Sequence, residues 1–235
     1  ATLIKLRKVN EAEYYAREAL KMSLARTGKN SVSTSKALRQ FANVMLSRER
    51  GKDAIYLLNE SINGLKESGV TDESIQLAIT KKNLASALIA DERYREALNI
   101  YSELDFTLKT YPQTARFIEL GSSDLVFALL KTNSLTEAEN IANRLVALNE
   151  RRTGKLSKET TQAKLLLAYA LAEQRKDESA QTLFSDSINN LIELEREGTA
   201  DSDGISLQEK KFLAGYVESY LGVLSRAYEK NPTPK

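Results

Sequence analysis

The chain contains no cysteine, no histidine and no tryptophan among its 235 residues. Without cysteine there are no disulfides and no thiolate nucleophile. Without histidine the usual acid-base catalysis and the common structural zinc sites are excluded as well. Proline is nearly missing too: there are 3, and two of them, Pro232 and Pro234, stand in the last four residues. Only 10 glycines occur, so long stretches run without a strong helix breaker. No apolar run approaches the roughly 18 residues that a membrane-spanning helix needs. Neither sign of charge prevails, with 34 basic against 32 acidic residues. Polybasic runs and interleaved basic and aromatic residues are both missing, which argues against nucleic acid as a partner.

What is present favours helix. Ala, Leu, Glu, Lys, Arg and Gln dominate, and 42% of residues are hydrophobic and 28% charged, a globular balance. The pattern repeats. Alanines at Ala12, Ala54, Ala97, Ala138 and Ala180 are spaced by 42, 43, 41 and 42 residues. Twelve residues before these anchors stands a second small position, at Ala42, Ala85, Val126 and Ala168, preceded by Phe41, Leu84, Leu125 and Leu167 and followed three residues later by Met45, Leu88, Leu129 and Leu171. These offsets mark one helix face. Between the two small positions lies a polar break, such as Arg48-Glu-Arg-Gly-Lys52 or Gln174-Arg-Lys-Asp-Glu178. Each unit therefore reads as helix A, tight turn, helix B, with small residues permitting close approach at the crossing.

This reading predicts helices at 10–27, 32–49, 51–67, 72–90, 94–109, 113–131, 134–151, 157–174, 177–196 and 206–229. Ser134-Leu-Thr-Glu137 and Ser206-Leu-Gln-Glu209 have the form of capping boxes. Arg26-Thr-Gly-Lys29 recurs as Arg152-Thr-Gly-Lys155, an offset of 126, or three periods. Each glycine follows a B helix, as a C-terminal cap requires, and is read as structural and not as phosphate-binding.

Paired small positions twelve apart, a preceding Leu and turns such as Gly51-Lys-Asp-Ala54 resemble tetratricopeptide (TPR) repeats. Thr80-Lys-Lys-Asn-Leu-Ala-Ser-Ala-Leu88, followed by Arg93-Tyr-Arg-Glu-Ala97, is similar to the 42-residue subtype of kinesin light chains and many bacterial proteins. The resemblance covers about 1–196, and 206–229 less closely. It implies an all-α fold, a right-handed alpha-alpha superhelix of about five helix-turn-helix repeats. The units fall at 1–30, 31–71, 72–111, 112–155 and 156–198, with a final helix at 206–229 and a disordered tail at 230–235. Val126 departs from the small-residue rule. The rival is a HEAT or armadillo-type array, whose period is also about 40–47 residues. Both ends are expected to be cut from a longer, bacterial polypeptide.

In such a stack the A helices line a concave face. The expected contacts for a peptide are Lys36, Arg39, Gln40, Asn43, Lys82, Asn83, Ser86, Phe127 and Tyr169. Arg39 and Asn43, four apart, share a face; an Asn amide can pair with an extended backbone, and Arg can fork onto a carboxylate. With Asn83 they resemble part of the carboxylate clamp of chaperone-binding members. Leu120 and Asp124 stand where further basic residues belong, so an internal segment fits better than a C-terminal carboxylate. Phe127 and Tyr169 are offered to the same ligand as hydrophobic contacts, although side chains so placed more often fill gaps between neighbouring A helices. The expected function is a protein- or peptide-binding scaffold. The alternative is a sensor module controlling a fused effector such as a protease, kinase or DNA-binding domain. No catalytic residue, metal or cofactor is expected, and neither nucleic acid nor membrane insertion. The compartment expected is the cytoplasm, with the periplasm left open. Asp201-Ser-Asp203 lacks the remaining ligands of a calcium loop, and Gly51-Lys-Asp lacks the rest of a P-loop.

Overall fold

A computed structural model describes residues 8–115, 122–196 and 207–230. Every regular element among them is helical. They are α1 (Val9–Thr27), α2 (Val32–Ser47), α3 (Gly51–Glu67), α4 (Ile75–Ala90), α5 (Tyr94–Thr110), the single turn α6 (Pro112–Ala115), α7 (Ser123–Lys131), α8 (Leu135–Thr153), α9 (Lys158–Glu173), α10 (Asp177–Arg196) and α11 (Leu207–Lys230). The chain divides into two compact units, Ala1–Leu120 with Asp203–Gln208 and Gly121–Ser202 with Glu209–Lys235.

In the first unit each helix packs on its sequence neighbour from α1 to α6, and the A helices α2 and α4 also touch. In the second, α7, α8, α9 and α10 pack consecutively, with α7 also against α9. The alanine register explains this. Ala42, Ala85, Ala168 and the B-helix alanines Ala54, Ala97, Ala138 and Ala180 are all 0% exposed. Val126 fills its small position with the same complete burial. Behind the anchors, Leu58, Tyr101, Ala142 and Phe184 are buried in turn. Enlarging an anchor, Ala97→Leu for instance, would force the helices apart at a cost of about 1–3 kcal/mol.

The A–B turns share one closure. The N–H of Arg50, Arg93, Ser134 and Lys176 donates to the carbonyl five residues back, on Met45, Leu88, Leu129 and Leu171. This is the six-to-one bond of a Schellman cap, which needs one residue in the left-handed region just before it. That residue is Glu49, Glu92, Asn133 or Arg175, with φ of 61, 65, 62 and 62°. None is glycine.

The joints after α1 and α8 follow the recurring Arg-Thr-Gly-Lys. Gly28 (φ 73°) and Gly154 (φ 95°) cap their helices by donating to the carbonyls of Leu24 and Glu150. The Ser31 and Ser157 hydroxyls accept from the N–H of Thr34 and Thr160, both at 3.1 Å. The Thr34 and Thr160 hydroxyls donate back to the carbonyls of Gly28 and Gly154 at 2.6 and 2.7 Å. Atom for atom, the network recurs 126 residues on.

Three expectations require correction. The helix expected at 113–131 is not continuous: α7 begins at Ser123, where the Ser122 hydroxyl accepts from the N–H of Leu125 at 3.4 Å. The helix expected from residue 72 begins at Ile75, because the Ser74 side chain caps it by accepting from Gln76. Ser134 does stand at the N-terminal cap of α8, but its side chain makes no capping bond. Ser206, part of the other capping box, and Leu120 lie outside the described residues, as do positions 231–235 of the expected tail.

Candidate functional site

The face shared by α2 and α4 holds most of the expected contacts. Lys36 and Gln40 lie one turn apart on the exposed side of α2, whereas Arg39 is buried and Asn43 half-buried. From α4, Lys82, Asn83 and Ser86 stand half-buried. The Asn83 amide reaches the Asn43 carbonyl oxygen at 3.5 Å, at the outer limit of a hydrogen bond. The two amides thus meet, with most of their donor and acceptor capacity unspent.

Arg39 is the unusual member. It is only 8% exposed, and among the described residues its guanidinium has no hydrogen bond and no carboxylate partner. Burial holds its pKa below the usual arginine value, since a desolvated cation is disfavoured. Arginine nevertheless stays charged in proteins. Lys81, the neighbour of Lys82, is by contrast satisfied by Glu103 at 3.1 Å. Arg39 thus brings a buried positive charge to the helix that carries Asn43 one turn later.

Phe127 and Tyr169 are not on this face. Both belong to the second unit, where they are 1% and 6% exposed. Phe127 packs on Phe212 of α11 with ring centroids 4.3 Å apart, and Tyr169 meets Tyr216 edge-on at 6.4 Å. Lys131 completes the cluster. Its ammonium lies over both rings at 5.4 and 5.7 Å and donates to the Tyr169 hydroxyl at 3.2 Å. Their expected contact with a ligand is corrected to core packing, because α11 covers them. Gly215 shows how closely: a Cβ there would stand 3.0 Å from the Tyr169 ring.

Two open surface hollows escaped the sequence. A cleft of about 300 Å³ is lined by Arg17, Phe41, Met45, Arg50, Asp53, Tyr56 and Leu57. Another, of about 250 Å³, opens over Leu84, Leu88, Arg93, Glu96, Asn99 and Ile100. Six of the lining positions correspond at an offset of 43. That offset was the available signal, but sequence alone does not show that the seam between successive B helices stays open. Among the described residues no cluster of three or more acidic groups could hold a metal ion, and no helix is long and apolar enough to cross a membrane.

No family model matches the chain, and no curated protein matches it in sequence. Solved structures do resemble it. The nearly identical TPR-like repeats of a kinesin light chain-type protein from Podosopora anserina superpose with a TM-score of 0.62 at 14% identity, over 83% of this chain and 92% of that one. A substituted form of the same protein gives 0.63, also at 14% identity, with the same coverage. BtubC (BKLC) from P. vanneervenii gives 0.60 at 11% identity, covering 97% of this chain and 94% of that one. The fold is therefore TPR-like, an all-α helical repeat.

Proposed function

We propose that this chain is a scaffold that binds a segment of another protein along α2 and α4 of the first unit, with no chemical step of its own. The Asn43 and Asn83 amides hold the backbone of an extended internal segment, whatever its side chains. Arg39 receives an acidic side chain from it, and Lys36 and Lys82 add positive charge to the rim. The observation that carries this reading is the Arg39 guanidinium, buried without an anion among the described residues. A charge left so pays its desolvation cost unless a partner repays it.

The test is selection from random peptide libraries displayed with blocked and with free C termini. Enriched peptides are expected to contain Asp or Glu at an internal position and to bind equally well with a blocked terminus. Their affinity should fall about tenfold or more in Asn43→Ala/Asn83→Ala, the loss of one to two hydrogen bonds. Enrichment that depends on a free C terminus, or binding indifferent to both substitutions, would remove the assignment.

A further inference from the structure

The two helices of the proposed site carry charge of one sign only. Lys36 and Arg39 on α2 and Lys81 and Lys82 on α4 are basic, and neither helix contains an aspartate or a glutamate. The B helices around them are mixed: α1, α3 and α5 each hold three acidic residues against two or three basic ones. The A helices of the second unit are balanced, α7 with one charge of each sign and α9 with two of each. The segregation therefore belongs to α2 and α4. Carboxylates that reach these helices or their ends from the neighbouring elements already hold other cations. Glu13 of α1 accepts from Arg48 at 2.5 Å, Glu60 of α3 pairs with Lys29 at 2.9 Å, and Glu103 of α5 pairs with Lys81 at 3.1 Å. Arg39, 8% exposed, meets no carboxylate among the described residues.

Building on the scaffold reading above, we infer that the segment held along α2 and α4 is phosphorylated, and that Arg39 with Asn43 and Asn83 receives its phosphoserine or phosphothreonine. The chemistry of the face selects this group. Asn43 stands one turn from Arg39 and meets Asn83 at 3.5 Å, so a guanidinium and two amides supply N–H donors along one line. Lys36 and Lys82 add charge, and the two helices offer no anion in return. A glutamate would bring one negative charge and two oxygens. A phosphorylated hydroxyl brings about 1.5–2 negative charges at pH 7 and three strong acceptor oxygens. The planar guanidinium can grip two of those oxygens through parallel bonds. A run of several carboxylates could match the total charge, but it spreads that charge along the chain. Phosphate delivers it at one point, the single buried guanidinium. The scaffold then reads the phosphorylation state of its partner.

The probes are three peptide libraries with blocked ends and degenerate flanks, differing only in a fixed central residue: phosphoserine, glutamate or serine. Members selected from the first should bind the full chain about tenfold or more tightly than their glutamate counterparts in fluorescence anisotropy. Arg39→Met should bring the phosphoserine and serine forms close to equal affinity. Lys36→Ala, on the exposed side of α2, should narrow the gap in part, and circular dichroism checks that both variants are folded. The chain has no histidine, so none of its side chains ordinarily titrates between pH 5.5 and 7.5. Affinity for the phosphopeptide should therefore fall about three- to fourfold across that window, as a phosphate with a second pKa of about 6 loses its second charge. Affinity for the glutamate peptide should stay level. Equal binding of the phosphoserine and glutamate forms, both lost in Asn43→Ala/Asn83→Ala, would overturn the phosphate assignment and leave the scaffold reading standing. A phosphoserine preference that survives both Arg39→Met and Lys36→Ala would also overturn it. Failure of all three libraries to bind would remove both readings.

Discussion

Replacing Arg39 by methionine should stabilise the protein and weaken its binding in the same stroke. Arg39 is 8% exposed and, among the described residues, carries a charge with no anion beside it. A buried ion costs several kcal/mol when wholly sealed. Here the cost is smaller, because the sealed side-chain polar atoms without partners among the described residues are the hydroxyls of Ser35, Ser187 and Ser219. The guanidinium nitrogens thus keep a window to water. Methionine retains the aliphatic contacts and adapts to the space. A net gain of about 1–2 kcal/mol is expected, which raises the melting temperature of a chain this long by ~2–8 °C. A charge-assisted hydrogen bond contributes about 1.5–3 kcal/mol to binding, so affinity for an acidic peptide should drop by roughly 10–100-fold. Thermal unfolding followed at the helical band and fluorescence anisotropy with a selected peptide read the two quantities separately. A melting temperature that falls by several degrees would show that the guanidinium stabilises the folded chain, and the reasoning about an unspent charge would be refuted.

The left-handed turn residues give a graded series. Arg175→Gly should raise the urea midpoint by the equivalent of about 0.5–1 kcal/mol, since a side chain at φ 62° is strained and glycine is not. Asn133→Gly should gain less, because asparagine tolerates that conformation; equal gains, or none, would mean that the turns are unstrained. Glu139 accepts from Lys176 at 2.7 Å and from Gln174 at 2.8 Å, and these donors hold its carboxyl below the usual range. A depressed folded pKa gives stability that is complete above the unfolded value, about 4.3, and is lost as pH falls through the folded one. Glu139→Gln should therefore cost about 0.5–1 kcal/mol at pH 7 and progressively less below pH 4; a penalty that persists in acid would point to packing instead.

Much of this was legible in the sequence because the repeat is written in small residues. Alanine is the side chain that lets two helices cross closely, so its recurrence near 42 residues located the A–B pairs and most helix bounds. The turns were less legible. They require positive φ, for which glycine is the sign, yet Glu49, Glu92 and Arg175 occupy them and the surrounding bonds impose the conformation. The break before α7 was hidden for a related reason. Its apolar periodicity continues across Ser122, whose capping role depends on where the backbone stops being helical. Helix spacing put Arg39 and Asn43 on one face of α2, and the contact between Asn43 and Asn83 is what the structure adds. Phe127 and Tyr169 were left between ligand contact and core packing because an aromatic on an A helix has the same signature whether or not another helix covers it.

The matching joints at Gly28 and Gly154 make the intervening stretch a cassette. Cutting before each glycine leaves ends that carry the same cap and hydroxyl ladder, so Thr27 can be spliced to Gly154 and the junction regenerated without a foreign linker. By the same logic the 126-residue block can be inserted in tandem. Chain length then becomes an adjustable parameter, open to engineering in steps of three repeats, with the joint itself left unaltered.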